Sequence, residues 1–271
     1  MKIAKVNGIE LEYQVTGSGE PLLLISPVLA DGFVPLVAER LLERYTVIAY
    51  HKRGWVGSTR QPGPVSVADH AADANALLDH LGIARAHVAG HSSGAAVAVQ
   101  LALDYPGKVH SLILLELSLL TVPSAEAFLA KAGPAFEAFA AGNREQALEI
   151  FMTAASGLPW DECRALLEDR VPGSLAQSLK DADTFFGVEL PALTQWSFTA
   201  AQAARVKQPT LSILGTKTEP LWVDVDALLR SSMPNIVTTK IDDVGHLLHI
   251  QAAAPVAQAF AAFTDRNPMR A

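Results

Sequence analysis

With 271 residues, half of them apolar and 18% charged, the chain has enough apolar sequence to bury a sizeable core and too much to be disordered. Its net charge of −7 argues against nucleic acid or an anionic membrane surface as a partner. Its single cysteine, Cys163, rules out an internal disulfide framework, fits a reducing compartment and is read as structural.

In chain order, residues 2–15 alternate apolar and polar positions around Asn7-Gly8, a hairpin signal. This stretch has no apolar h-region, so no signal peptide is expected. Residues 22–26 (LLLIS) form a short buried-strand run, residues 33–44 have helical spacing, and residues 46–50 make a second buried strand. A helix is predicted over 67–81, ending at Gly82, followed by a strand at 85–89, a helix at 95–105 and a strand at 111–115. Strands without alternation, separated by helices, predict a mostly parallel sheet covered on both faces. From residue 121 to about 199 only helical patterns occur, at 124–141, 144–155, 160–171 and 175–185. Strand signal returns at 210–214 and 237–241, each followed by a helix, at 223–231 and 251–263. The expected organisation is an α/β core over 1–120 and 200–271, interrupted by an all-helical insertion over 121–199 that is too long for a mere loop. No apolar run resembles a membrane span, and a soluble, cytoplasmic protein is expected.

Five residues between a predicted strand and a predicted helix carry the most chemistry: Gly90-His91-Ser92-Ser93-Gly94. The pattern G-x-S-x-G on a strand–turn–helix sets the serine on a sharp turn with its hydroxyl above the sheet, while the glycines allow the tight backbone. The following helix directs its N-terminal amides at the place where an oxyanion would form. A serine hydroxyl is a poor nucleophile at neutral pH, so Ser92 needs a base and a group that orients the base. Of the eight histidines, His246 is the leading choice, in a loop between a strand and the last helix, with His249 as the alternative. His91 leaves the turn in another direction, and His87 reads as a core histidine.

Together these signatures resemble the α/β-hydrolase fold family. Residues 50–58 (YHKRGWVGS) are similar to its D-x-R-G-x-G-x-S loop, with His51 in place of the acid and one residue added before Gly57. GHSSG is similar to its nucleophile elbow, Gly245-His246 to its catalytic-histidine site, and the insertion occupies the position of a cap. The resemblance implies a triad acid three residues after a glycine near the penultimate strand, but Thr218 stands there and Glu219 is one residue late. A second location used in the family, the end of the strand before the cap, holds Glu116. A carboxylate among leucines is costly unless paired, so Glu116 is the leading candidate, with Glu219, Asp224 and Asp242 as alternatives. The oxyanion amides are expected from Ser93 and, because Pro27 has no N–H, from Val28.

Substrate contacts are expected from Trp222, Trp160, Phe128 and Met152; Phe136, Phe151, Phe185, Phe186 and Trp196 are read rather as packing within the insertion. The chain has no H-E-x-x-H motif, no P-loop and no complete dinucleotide fingerprint, and no metal or cofactor is implied. The resulting expectation is a serine esterase or lactonase acting on a small neutral, hydrophobic substrate, with no partner beyond that molecule except, at most, a second copy in a homodimer. The acid position resembles that of capped lactone hydrolases of the zearalenone-degrading type. A carbon–carbon bond hydrolase, a perhydrolase and a weakly catalytic small-molecule receptor share the same residues as alternatives. Haloalkane dehalogenases and epoxide hydrolases carry an aspartate where Ser92 stands.

Overall fold

The structure, a computed structural model, describes residues 1–60 and 63–269. Among them, eight strands form one sheet: β1 (Lys2–Val6), β2 (Ile9–Thr16), β3 (Glu20–Ile25), β4 (Tyr45–Tyr50), β5 (Ala86–His91), β6 (Val109–Leu115), β7 (Thr210–Gly215) and β8 (Ile236–Ile241), in the order β1-β2-β4-β3-β5-β6-β7-β8. The first hairpin is antiparallel and β2 meets β4 antiparallel, while every other pairing is parallel. Asn7 and Gly8 turn the hairpin with φ of 48° and 73°, the left-handed conformations that a two-residue turn of this hand requires.

The central strands are mostly apolar and buried because both faces are covered. Leu23 and Ile25 of β3 and Leu112 and Leu114 of β6 face one core, shared with the helices Val67–His80 and Ser93–Asp104. Leu22, Leu24, Ile113 and Leu115 face the other, shared with Leu36 of the short helix Val34–Val37 and with Phe260 of Ala253–Arg266. The helix Val67–His80 starts at a reciprocal cap, in which Ser66 Oγ accepts from the Asp69 amide at 3.1 Å and Asp69 accepts from the Ser66 amide at 2.8 Å.

The elements between β6 and β7 are helical, led by Ala125–Ala140, Arg144–Ser156 and Trp160–Arg170. Two sequence expectations are corrected. Residues 33–44 form the helix Val34–Val37 and a separate 3₁₀ turn, Arg40–Arg44. Residues 175–185 are broken at Asp181 between the helices Ser174–Lys180 and Ala182–Thr184, and a π-helical turn, Phe185–Glu189, follows. Asp181 is fully buried there, held by Arg60 and by Gln177 Nε2 at 3.0 Å. Two short helices, Leu190–Gln195 and Ala200–Ala203, follow before β7. No helix among the described residues is long and apolar enough to cross a membrane.

Candidate active site

Ser92 sits between β5 and the helix Ser93–Asp104 with φ 54° and ψ −119°, a backbone conformation that costs free energy and persists only where its surroundings impose it. The flanking glycines impose it by close approach. A Cβ on Gly90 would lie 2.3 Å from the Gly94 carbonyl oxygen, and one on Gly94 would lie 2.0 Å from that of Ile25. The amide of Ser92 donates to the Leu115 carbonyl at 3.0 Å, tying the turn to the end of β6.

The chain leaves β6 at Glu116, which also has positive φ, 44°. Its buried carboxylate accepts from the Gly215 amide at 2.8 Å, from Thr218 Oγ1 at 2.8 Å, and from His246 Nδ1 at 2.7 Å. Thus Thr218, standing at the position where the family pattern has its acid, donates its hydroxyl to Glu116, which follows the neighbouring strand β6. Glu219 instead pairs with Lys131 at 2.6 Å, and Asp242 is exposed. Because Nδ1 donates to Glu116, Nε2 of His246 is left as the basic nitrogen. Burial pushes the Glu116 carboxyl up, opposed by the amide, hydroxyl and imidazole N–H donors that favour its carboxylate form. Burial also pushes the His246 imidazole down, to about 3, so the ring is neutral at neutral pH.

Ser92, Ser93, Val28 and His246 line one small cavity of about 50 Å³. Phe128, Met152 and Trp222 contribute to its walls, as does Phe151, which the sequence placed in the packing of the insertion. Trp160 does not line it. As the first residue of the helix Trp160–Arg170, it is half-buried against the hydrophobic core, so its expected substrate contact is corrected to packing. Phe185 and Phe186 pack on each other with centroids 4.5 Å apart, and Trp196 stacks on Phe198.

Three features of the site went unseen in the sequence. The first is Ser118, whose hydroxyl lies 2.9 Å from that of Ser92 and whose amide donates to the Ser92 carbonyl at 3.2 Å. Its position two residues after Glu116, on the same strand end, was the available signal. The second is a column of rings. Trp222 lies flat on His246 at 3.8 Å and 5°, His246 meets His91 at 4.5 Å, His91 meets His249 at 4.2 Å, and His249 meets Phe33 at 5.1 Å. Within it His91 Nε2 donates to the His246 carbonyl at 2.8 Å, so the residue beside Ser92 braces the loop that carries His246. Both ring nitrogens of His249 are buried without a partner among the described residues, and the ring packs rather than reaching the cavity. The third is a buried cluster around Glu189. Among the described residues, no three His, Cys, Asp or Glu side chains are placed to hold a metal ion.

A family model described as alpha/beta hydrolase fold matches residues 25–253. A RutD protein of Azorhizobium caulinodans is 37% identical over 113 residues, 41% of this chain and 43% of that protein. The chain spans less than half the length of the first curated relatives it matches. A thermophilic esterase from Thermogutta terrifontis superposes with a TM-score of 0.80 at 20% identity, covering 99% of this chain and 100% of that one. The enol-lactonase from Burkholderia xenovorans LB400 superposes with a TM-score of 0.78 at 22% identity, covering 97% and 100%. At these identities the likeness to the solved structures is one of fold.

Proposed function

The chain belongs to the α/β-hydrolase fold family, and from that premise we propose that it is a serine hydrolase cleaving carboxylic ester or lactone bonds of a small, uncharged, hydrophobic substrate. The observation that carries this reading is the convergence of three buried groups. Ser92 on its strained turn and His246 line the same cavity, and His246 Nδ1 is held at 2.7 Å by Glu116. In this reading Ser92 Oγ attacks the carbonyl carbon while His246 Nε2 takes its proton, and Glu116 stabilises the imidazolium. The amides of Ser93 and Val28 hold the oxyanion. His246 then protonates the departing alcohol oxygen, and water, deprotonated in turn by His246, releases the acid and restores Ser92.

The cavity lining supports the substrate class. It contains neither lysine nor arginine, and apart from serines and the neutral rings of His91 and His246 its walls are apolar, so an acyl group bearing a carboxylate meets no counter-charge there. The esterase and enol-lactonase among the fold relatives are compatible with this class, though a shared fold does not transfer a substrate.

The test is turnover of p-nitrophenyl acetate and butyrate, wild type against Ser92→Ala. Many turnovers per protein molecule, abolished by the substitution, are expected. Release of a single equivalent of nitrophenol, or turnover that survives Ser92→Ala, would overturn the reading.

A further inference from the structure

One residue beyond the nucleophile, the chain enters a second polar cluster. Lys52 Nζ, from the loop after β4, pairs with Glu189 Oε1 at the end of the π-helical turn Phe185–Glu189. Ser93 Oγ donates to the same oxygen at 2.7 Å, and Lys52 Nζ lies 3.4 Å from Ser93 Oγ. Trp55 Nε1 donates to Glu189 Oε2 at 3.1 Å, and His70 Nε2 is 3.7 Å from it. Lys52 also sits 5.7 Å from the centre of the Trp55 ring. All of this is out of water, with Lys52 2%, Glu189 3% and Ser93 1% exposed.

Stability alone does not account for such an arrangement. Stripping water from two charges is costly, and apolar residues of similar volume commonly pack there as well or better. What the ion pair does provide is a fixed register between three separate pieces of chain. These are the loop after β4, the first turn of the helix Ser93–Asp104, and the helical insertion. The insertion's π-helical turn is a rare form that tends to occur at functional sites. It ends at Glu189, and the next residues, Leu190 and Leu193, are walls of the cavity. One carboxylate therefore links the wall that would hold the acyl group to the residue whose amide would hold the oxyanion.

We propose that Glu189, held by Lys52, is a positioning residue. It locks Ser93 to the Leu190–Leu193 wall so that the bound carbonyl and the Ser93 amide meet in the geometry of the tetrahedral intermediate. This inference rests on the reading of Ser92 as the nucleophile. It explains why a serine follows the nucleophile: the Ser93 side chain takes the link while its backbone does the chemistry.

The experiment is steady-state hydrolysis of p-nitrophenyl butyrate by four variants. Glu189→Gln, nearly the same shape without the charge, is expected to lower kcat about 10- to 100-fold, the scale of a sub-ångström to ångström misplacement, with KM changed less than about twofold. Ser93→Ala keeps the amide and removes the link, so it is expected to act in the same direction. The double variant S93A/E189Q should be no worse than the poorer single one, because both break the same connection. K52M/E189L replaces the pair with apolar side chains. It is expected to melt at or above the wild-type temperature yet keep the low kcat, a result that a purely structural role would not give. Wild-type kcat in K52M/E189L, multiplying effects in S93A/E189Q, or a loss confined to KM would each overturn the proposal. Ser92→Ala run alongside separates the two levels. If it abolishes turnover while the Glu189 variants keep wild-type kcat, only the role of Glu189 falls. If the wild type shows no Ser92-dependent turnover, the hydrolase reading falls and takes this inference with it.

Discussion

The hydroxyl of Ser92 meets the hydroxyl of Ser118 at 2.9 Å, at the mouth of the turn that would present the nucleophile. A hydroxyl is both donor and acceptor, so Ser118 is able to donate to Ser92 Oγ while the Ser92 proton is directed elsewhere. In the proposed reaction that bond steadies Ser92 Oγ as charge builds on it. Ser118→Ala is expected to lower kcat/KM about fivefold, the worth of one hydrogen bond of about 1 kcal/mol. Ester hydrolysis by the purified variant checks this, and a rate equal to or above wild type would show that Ser118 only restrains the nucleophile.

The contact between His246 and Glu116 makes a sharper prediction, because the two candidate glutamates have different partners. Glu116→Gln, which keeps the volume and removes the charge facing the imidazole, is expected to reduce kcat by about three to four orders of magnitude. Glu219→Gln loses only a partly exposed bridge to Lys131 and is expected to stay within about twofold of wild type. Kinetics of the two variants side by side decide it, and the reverse order would move the acid to the later loop.

Five buried histidines set the response of stability to acid. Burial lowers His87, takes His70 to about 4 and His246 to about 3, and holds His91 and His249 well below the ordinary 6.5. Below 6.5 the unfolded chain binds protons that the folded chain refuses, so this contribution is complete above 6.5 and is lost as the pH falls toward the folded values. Each imidazole costs up to about 1.4 kcal/mol per pH unit in that window. The urea midpoint is therefore expected to fall steeply from pH 6 to pH 5. A midpoint that is flat from pH 8 to pH 5 would contradict the burial of these rings as neutral species.

Trp222 lies parallel to His246 and forms part of the cavity wall, so its loss touches both stability and rate. Trp222→Ala is expected to cost about 3–5 kcal/mol of stability through the cavity it leaves. It should also lower kcat about tenfold or more, since a loosened imidazole loses its alignment. Trp222→Phe retains an aromatic face and should keep most of both. Thermal melts and ester kinetics on the two variants test this, and an alanine variant with wild-type kcat would reduce the stacking to packing alone.

What the sequence determined by itself is whatever is written in short stretches of chain. The turn at Gly90-His91-Ser92-Ser93-Gly94 was legible because its pattern is complete within five residues, although the approach that demands Gly94 comes from distant Ile25, and the hairpin at Asn7-Gly8 because positive φ favours those residue types. The parallel core was legible because continuous apolar runs exclude a solvated face. Glu116 stood out because a carboxylate among leucines needs a partner, and the family resemblance implied His246, which lies 2.7 Å away. The tertiary structure alone decided what depends on residues far apart in the chain. Ser118 reaches Ser92 across 26 positions, Lys52 finds Glu189 across 137, and Arg60 pairs with Asp181 across 121. It also sent Trp160 into packing and Phe151 to the cavity wall, a choice that helical periodicity leaves open because either side of a buried helix face is apolar. Local pattern fixes which face of an element is buried, but it carries no information about what that face is buried against.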